Sequence, residues 1–330
     1  MRRYAVAFLG FGNVAKALVR LLDARRDALA VRYGVVCVTT GVASRSLGWW
    51  ANPDGLALTA PQSGTRCYDV TDWLLTAHPD VVFESIALDP QTGQPALDYL
   101  AETLRMGIHA VSANKGPLVH GYRRLTALAE SHGRLYRFES AVMDGAPVFS
   151  LVRRTLPLAG IRAVSGVFTS TATVVIEAME RGGSIADGVR EAQRLGIAEA
   201  DPSYDLDGWD SAVKLCALSN VILDRSLRPD AVARDGLRPL EGAVVRAARD
   251  DGRPYRLVGR VSTDGERVVA RVAPEQVPAG SPLAVSGSTL VTHLDAEVFP
   301  GGLTITSTAP DLTTTAYGMF ADFLECVGAT

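Results

Sequence analysis

The sequence predicts an α/β protein in which a parallel sheet wrapped by helices is followed by a second, α+β unit. Short β-rich runs alternate with helical stretches from residue 4 to about residue 138, and this alternation is typical of parallel sheets. Beyond residue 139 the rhythm changes, and helical patterns precede alternating strands. We therefore expect domains over 1–138 and 139–309, with a last helix over 310–330 that packs back on the first domain.

The predicted strands of the first domain are nearly continuous apolar runs, as expected where both faces of a sheet are covered. They are Tyr4–Leu9, Tyr33–Val42, Asp80–Glu84, Ile108–Val111 and Leu135–Phe138. Pro95 and Gly107 are placed to begin and end a helix over Ala96–Arg105. The Gly- and Pro-rich stretch from Arg45 to Val70 is predicted to be a long irregular connection.

The second domain is predicted to hold four helices and then three strands. The helical patterns lie near 147–156, 171–181, 184–195 and 207–223, and the strands lie around 254–262, 266–274 and 303–308. Asp207 is predicted to be the N-cap of the fourth helix, which places Asp210 in its first turn. Asp210 and Lys214 are then neighbours, one turn apart on a single helix face.

Composition excludes several classes of protein. The 33 basic and 36 acidic residues give a formal net charge of -3, so the chain offers no polycationic surface for nucleic acid. No apolar run reaches the ~18 residues that a membrane span needs. The cysteines at 37, 67, 216 and 326 share no short spacing for a metal or redox pair. We expect a cytoplasmic protein with reduced thiols that binds a small molecule.

The first strand runs into Gly10-Phe11-Gly12-Asn13-Val14-Ala15, a G-x-G-x-x-A form of the dinucleotide-binding turn of Rossmann-type sheets. Gly10 permits the tight turn, and Gly12 lets the backbone approach a pyrophosphate at a helix N-terminus. The structural alternative is an ordinary glycine-rich turn. The second strand is followed by Ser44 and Arg45 rather than by a carboxylate, which favours NADP over NAD, unless Arg45 is only a solvated loop residue.

Only three of the 33 basic residues are lysine, at positions 16, 115 and 214. Because the chain otherwise uses arginine, a lysine indicates a site that needs a compact ammonium group able to release a proton. Lys115 follows the fourth predicted strand, at the sheet edge where open α/β sheets bind ligands. Lys214 ends a segment from Glu199 that contains five carboxylates. The structural alternative for that segment is a helix cap with a surface ion pair.

These motifs together resemble the homoserine dehydrogenase family, in its form without a C-terminal regulatory domain. The resemblance rests on the turn at 10–15, on Ser112-Ala113-Asn114-Lys115-Gly116-Pro117, on Phe138-Glu139-Ser140 with Gly145-Ala146-Pro147, and above all on 199–214. That last block matches the family pattern E-x-D-P…D-x-x-G-x-D-x-x-x-K. The resemblance implies reversible NAD(P)-dependent interconversion of aspartate 4-semialdehyde and homoserine in amino-acid biosynthesis. It also implies a homodimer whose second domain binds substrate and forms the dimer.

The resemblance also implies roles for individual residues. The catalytic group is Lys115, Lys214 and Asp210; the substrate group is Glu199, Asp205 and Thr171; the cofactor group is Gly10, Gly12, Asn13, Val14, Ser44, Arg45, Ser112 and Lys115; and the loop for a monovalent cation, Na+ or K+, is Glu139, Val142, Asp144 and Ala146.

Two segments depart from the family pattern. Ser170, Thr173 and Val174 replace the usual Gly, Asn and aromatic residues around Thr171, and Met143-Asp144 replaces small residues of the cation loop. One alternative is therefore the same hydride chemistry on another small amino or hydroxy aldehyde. A second alternative is a nucleotide-binding sensor without catalysis, although such a sensor would not need the two lysines and Asp210.

Overall fold

A computed structural model describes residues 1–328, and the chain divides into two compact units. The first unit comprises Met1–Pro147 and the chain from Asp311 onward, and the second comprises Val148–Pro310. The segment 139–147, which we predicted to open the second domain, clusters with the first unit instead. The predicted α/β class is confirmed, since the first unit holds a mostly parallel sheet and the second a sheet with packed helices.

The first unit is built on a seven-stranded sheet. Its strands are β1 (Arg2–Leu9), β2 (Val35–Ser44), β3 (Gly48–Ala51), β4 (Thr65–Cys67), β5 (Val81–Glu84), β6 (His109–Ser112) and β7 (Tyr136–Arg137), in the spatial order β4-β3-β2-β1-β5-β6-β7. The strands β2, β1, β5, β6 and β7 are parallel to one another, whereas β3 pairs antiparallel with both β2 and β4. The strand order reverses at β1, so a ligand crevice is expected at the carboxyl ends of β1 and β5.

The helices of this unit that precede residue 147 are α1 (Asn13–Ala24), α2 (Arg26–Ala28), α3 (Val70–Ala77), α4 (Ala96–Arg105) and α5 (Lys115–Ser131). The predicted bounds of α4 are confirmed. The prediction that β2 begins at Tyr33 is wrong, because Leu29–Tyr33 forms a π-helical turn closed by Gly34 at φ 66°.

The prediction of an irregular 45–70 connection is wrong in part, because β3 and β4 extend the sheet there. Gly48 has φ 80° and ends the turn between β2 and β3, so the residue that suggested a loop serves a hairpin. The Trp49 ring of β3 packs edge-on against Trp73 of α3 at 5.7 Å between centroids. Aromatic burial thus stabilises a strand too short to show a period in the sequence.

The second unit contains a six-stranded sheet in the order β13-β12-β8-β10-β11-β9. In chain order its elements are α6 (Phe149–Thr155), β8 (Ile161–Val167), α7 (Ser170–Glu180), α8 (Ile185–Arg194), α9 (Ser203–Leu206), α10 (Trp209–Ile222), β9 (Ala233–Arg234), α11 (Gly242–Asp250), β10 (Tyr255–Asp264), β11 (Arg267–Gln276), β12 (Leu290–Ala296) and β13 (Phe299–Ser307). The four predicted helices are present as α6, α7, α8 and α10, and the three predicted strands as β10, β11 and β13. The central strand β8 and its neighbour β12 were not predicted.

The last helix, α12 (Leu312–Cys326), belongs to the first unit. Asp311 caps it by accepting hydrogen bonds from the backbone N–H groups of Thr313 and Thr314. Phe323 is fully buried against the rings of Tyr4 and Phe83, so this helix completes the core around β1 and β5. Residues 329–330 of the predicted helix lie outside the described residues. No helix within residues 1–328 is long and apolar enough to cross a membrane.

Candidate active site

The glycine turn after β1 has the geometry of a phosphate-binding turn. Gly10 has φ +91°, and a Cβ there would lie 2.7 Å from the carbonyl group of Ser85, so only glycine fits. Gly12 forms the N-cap of α1, and a Cβ there would meet nothing within 4 Å. Asn13 and Val14 open the helix, whose first turn has no side-chain cap and no acidic residue. The backbone N–H groups of this N-terminus therefore suit the pyrophosphate of a dinucleotide.

Ser44 and Arg45 lie at the carboxyl end of β2, where the ribose of a bound dinucleotide is recognised in this class of fold. The hydroxyl of Ser44 accepts a hydrogen bond from Leu47 N at 3.1 Å, so this side chain closes the β2–β3 turn. Arg45 is exposed in the same turn. The Arg45 side chain is therefore more accessible at this strand end than the Ser44 hydroxyl.

A buried carboxylate that the sequence analysis did not single out joins the ends of β5 and β6. Glu84 ends β5, is 0% exposed, and lies in register with Leu9 of β1 and Ser112 of β6. Its carboxylate accepts hydrogen bonds from Ser112 Oγ at 2.5 Å, Ile86 N at 2.8 Å and Asn114 Nδ2 at 3.3 Å. Burial raises the pKa of Glu84 to about 7, and these hydrogen bonds oppose that rise. The signal in the sequence was an acidic residue at the end of an apolar strand.

Lys115 is the first residue of α5, just past β6. The helix begins there because Asn114 is an N-cap whose side-chain oxygen accepts a hydrogen bond from Gly116 N at 3.0 Å. Lys115 itself is half-buried at the carboxyl edge of the sheet, just after Ser112 ends β6. The structure therefore brings Ser112, Lys115 and the unpredicted Glu84 to the same sheet edge.

In the second unit, Asp210 and Lys214 form a buried ion pair on α10. The Lys214 Nζ lies 2.8 Å from Asp210 Oδ2, and the two residues are 8% and 9% exposed. Lys214 Nζ also donates to the backbone oxygen of Phe168 at 2.5 Å, at the junction between β8 and α7. The alternative of a surface ion pair is therefore wrong, because a surface pair would not lose its solvent.

The prediction that Asp207 caps α10 is wrong. The N-cap is Gly208 at φ 77°, a left-handed conformation that leaves the preceding carboxylate outside the helix. Asp207 instead forms an ion pair with Arg238 at 2.6 Å. The prediction that Asp210 lies in the first turn is confirmed.

The three predicted substrate residues are spread over the second unit. Thr171 is buried in the first turn of α7, close in the chain to the Phe168 carbonyl that Lys214 contacts. Asp205 lies in α9, half-buried, whereas Glu199 is exposed between α8 and α9. The altered neighbours Thr173 and Val174 are buried in the first half of α7.

Tyr204 of α9 is a second residue that sequence reasoning missed. Its hydroxyl is buried, and no hydrogen-bond partner for it is found among residues 1–328. Burial raises the pKa of Tyr204, and the nearby charges of Asp210 and Asp205 raise it further. The phenol therefore stays protonated beside the predicted substrate carboxylate Asp205.

The predicted cation loop lies in the first unit. Glu139 is 4% exposed, and its backbone N–H donates to Asp322 of α12 at 2.7 Å. Val142 is buried, Asp144 has φ 49°, and Ala146 N donates to the Met143 carbonyl at 3.0 Å. No group of three or more His, Cys, Asp or Glu side chains within residues 1–328 is arranged to hold a metal ion.

The phosphate-binding turn and the parallel sheet define a dinucleotide-binding enzyme, and comparisons with known proteins specify its class. The model of the homoserine dehydrogenase NAD-binding domain matches residues 10–139, and the model of homoserine dehydrogenase matches residues 147–324. The chain therefore belongs to the homoserine dehydrogenase family, oxidoreductases that act on a CH–OH group. The family predicted from the sequence motifs is confirmed.

Individual relatives resemble the chain over most of its length. The NAD(+)-dependent homoserine dehydrogenase of Pseudomonas canavaninivorans is 29% identical over 98% of this chain and 96% of its own length. The homoserine dehydrogenase of Mycobacterium tuberculosis is 31% identical over 88% of this chain, which corresponds to 65% of the longer relative. The solved structure of a putative homoserine dehydrogenase from Archaeoglobus fulgidus has a TM-score of 0.86 at 27% identity, with 98% of each chain covered.

Proposed function

We propose that this protein catalyses the reversible transfer of hydride between homoserine and aspartate 4-semialdehyde, with Lys214 and Lys115 in proton transfer. The observation that carries the proposal is the buried Lys214–Asp210 pair, at 2.8 Å, because the family block predicted these two residues as active-site groups. A buried ammonium group is costly, and such groups are often kept for function.

The chemistry of the reaction needs a group that exchanges one proton with oxygen. A bound nicotinamide supplies the hydride acceptor or donor. Lys214 in its ammonium form gives a proton to the oxygen during aldehyde reduction, and the neutral amine takes it back during alcohol oxidation. Asp210 and the Phe168 carbonyl fix the Nζ atom, so that little reorganisation is needed at each step. Glu199 and Asp205 are the carboxylates that we assign to the substrate ammonium group.

The lysine assignment predicts the largest loss of activity. Lys214→Ala and Lys115→Ala should each lower kcat by about 10²- to 10⁴-fold, the usual contribution of a positioned acid or base, while the dinucleotide still binds. The measurement is the absorbance of the reduced cofactor during homoserine oxidation, with dinucleotide affinity measured separately. As a control, Lys16→Ala removes the third lysine, which is exposed on α1 and has no assigned role. Near-normal turnover in both single variants would show that the proton-transfer assignment is wrong.

The same assay with a panel of substrates tests the alternative of a different aldehyde. Because the altered residues Thr173 and Val174 are buried in the first half of α7, near Thr171, the panel should contain homoserine beside other small amino and hydroxy alcohols. Homoserine as the substrate with the highest kcat/KM would support the proposal, and another substrate would favour the relative with altered specificity.

We assign NADP as the preferred cofactor on the exposed guanidinium of Arg45 beyond β2. Arg45→Ala should lower the ratio of kcat/KM for NADP to that for NAD by about tenfold, the loss of one charge-assisted contact to a 2′-phosphate. The exposed Arg25, outside the dinucleotide-binding turn, gives the control variant Arg25→Ala. An unchanged ratio in Arg45→Ala would remove Arg45 from cofactor selection.

Two further assignments belong to the proposal. Glu139, Val142, Asp144 and Ala146 would hold a monovalent cation, Na+ or K+, mostly through backbone oxygens, in a loop where Asp144 has a left-handed conformation with φ 49°. The active form is proposed to be a homodimer of this chain.

A further inference from the structure

We propose that Glu84 is a positioning residue for Lys115, because its buried carboxylate fixes the Asn114 side chain on which the first turn of α5 is built. The inference rests on the proposed role of Lys115 in proton transfer. It adds a group that lies 31 residues earlier in the chain and outside every motif of the sequence analysis.

The contacts form a continuous path from the carboxylate to the helix. Asn114 Nδ2 donates to Glu84 Oε1 at 3.3 Å, and Asn114 Oδ1 accepts from Gly116 N at 3.0 Å. The backbone N–H of Asn114 donates to Ser112 Oγ at 3.0 Å, and Ser112 Oγ donates to Glu84 Oε2. Both oxygens of the Glu84 carboxylate therefore hold the segment that leads into Lys115. The Asn114 side-chain amide cannot rotate without losing the hydrogen bonds of its Nδ2 and Oδ1 atoms.

The dinucleotide turn depends less on Glu84 than Lys115 does. Among residues 1–328, the Glu84 carboxylate reaches the turn through the hydrogen bond from Ile86 N, which lies beside Gly10. The turn has backbone bonds of its own, since Gly10 N donates to the Ala43 carbonyl at 2.7 Å and Lys16 N to the Gly12 carbonyl at 3.0 Å. Removing the carboxylate should thus displace Lys115 and spare dinucleotide binding.

If Glu84 served only to pack the core, an apolar side chain would be more favourable at this position. A fully buried carboxylate held by a hydroxyl, an amide and a backbone N–H pays a desolvation cost that an apolar side chain of similar size would avoid. Glu84 lies at the carboxyl edge of β5, beside the ligand crevice expected there. This location indicates that the carboxylate is kept for function despite its desolvation cost.

The test separates positioning from stability by comparing kcat with dinucleotide affinity. Glu84→Met keeps the side-chain volume and removes every acceptor, and it should lower kcat by about 10- to 100-fold while the Kd for the dinucleotide changes by less than about threefold. Glu84→Gln keeps one acceptor oxygen and should recover most of the lost kcat.

Leu100→Ala is the control for stability, because Leu100 is fully buried in α4, which packs on β5 and β6. It should lower the midpoint of thermal unfolding and leave kcat unchanged.

A double variant tests whether Glu84 acts through Lys115. Glu84→Met combined with Lys115→Ala should be no slower than Lys115→Ala alone, because a positioning residue has nothing left to position. Multiplied losses in the double variant, a normal kcat in Glu84→Met, or an equal kcat loss in Leu100→Ala would overturn the inference. If Glu84→Met does not fold, Asn114→Ser keeps the cap and removes the side-chain link from Asn114 Nδ2 to Glu84, and the same outcomes apply.

The controls also keep this inference distinct from the proposed function. If Lys115→Ala alone has a near-normal kcat, the proton-transfer role of Lys115 fails, whatever the Glu84 variants do. If Lys115→Ala is slow and Glu84→Met is normal, only the positioning role of Glu84 fails.

Discussion

Two buried carboxylates, one in each unit, are held by opposite kinds of partner. Asp210 in the second unit accepts the ammonium group of Lys214 at 2.8 Å, so its charge is compensated directly. Glu84 in the first unit is held by a hydroxyl, a side-chain amide and a backbone N–H. Neutral donors solvate an anion only in part, and burial accordingly raises the pKa of Glu84 to about 7.

The difference shows that burial alone does not decide the charge of an acidic residue. A carboxylate with a cationic partner can stay charged in the interior. Removal of either member of the pair then strongly destabilises the fold, because the other charge is left buried without compensation. A carboxylate with neutral donors exchanges a proton near neutral pH and makes stability depend on pH. The first arrangement suits a permanent charge beside a proton-transfer group, and the second suits a group that orients loops.

The difference between the two carboxylates should show its largest effect in a variant of Asp210. Asp210→Asn keeps an oxygen for Lys214 Nζ but removes the negative charge that lies 2.8 Å from this buried ammonium group, so we expect the free energy of unfolding to fall by about 3 kcal/mol. Loss of the carboxylate also removes one of the groups that hold Lys214 Nζ in place, and we expect kcat to fall by about 100-fold. Urea unfolding and the homoserine oxidation assay measure the two effects.

The matched control for Asp210 is an ion pair of the same unit at the surface. Asp235 lies 2.7 Å from Arg271, and both side chains are more than half exposed, at 58% and 60%. Asp235→Asn should therefore cost less than about 1 kcal/mol and leave kcat unchanged. Equal stability losses in the two variants would show that burial adds nothing to the Lys214–Asp210 pair.

The two carboxylates also differ in how far the sequence could predict them. Asp210 and Lys214 are one helical turn apart, so a local spacing rule and a family block found both and placed them together. Glu84 meets Ser112 and Asn114 only because β5 and β6 pair in parallel, and nothing local in the chain encodes that pairing.

The same distinction explains the rest of the fold. The continuous apolar runs of β1, β5 and β6 predicted the parallel sheet, whereas β3 and β4 were missed because glycine and proline surround them and their stability comes from packing of Trp49 against Trp73. Asp207 was assigned as a cap on residue type alone, and the left-handed Gly208 after it changed the start of the helix. Local sequence patterns do not encode which strands pair over a long range, or which single residue adopts a left-handed backbone conformation.

The dependence of stability on pH gives a further test of the comparison. The pKa of Glu84 is raised from 4.5 to about 7 in the folded protein, so the folded state binds a proton that the unfolded state releases in this interval. The contribution of Glu84 to stability is therefore complete below about pH 4.5 and is lost as the pH rises through about 7, a fall of about 3 kcal/mol. Glu84→Gln has no such proton, and its free energy of unfolding should not show this fall.

Urea unfolding of wild type and Glu84→Gln across this interval measures the effect as a difference curve. His109 acts with the opposite sign, because burial and then Arg134 lower its pKa to about 4, and its stability contribution is lost as the pH falls. That contribution is common to both proteins and cancels in the difference. The variant should therefore gain stability relative to wild type as the pH rises from about 4.5 to about 7. A flat difference curve would show that burial does not raise the pKa of Glu84.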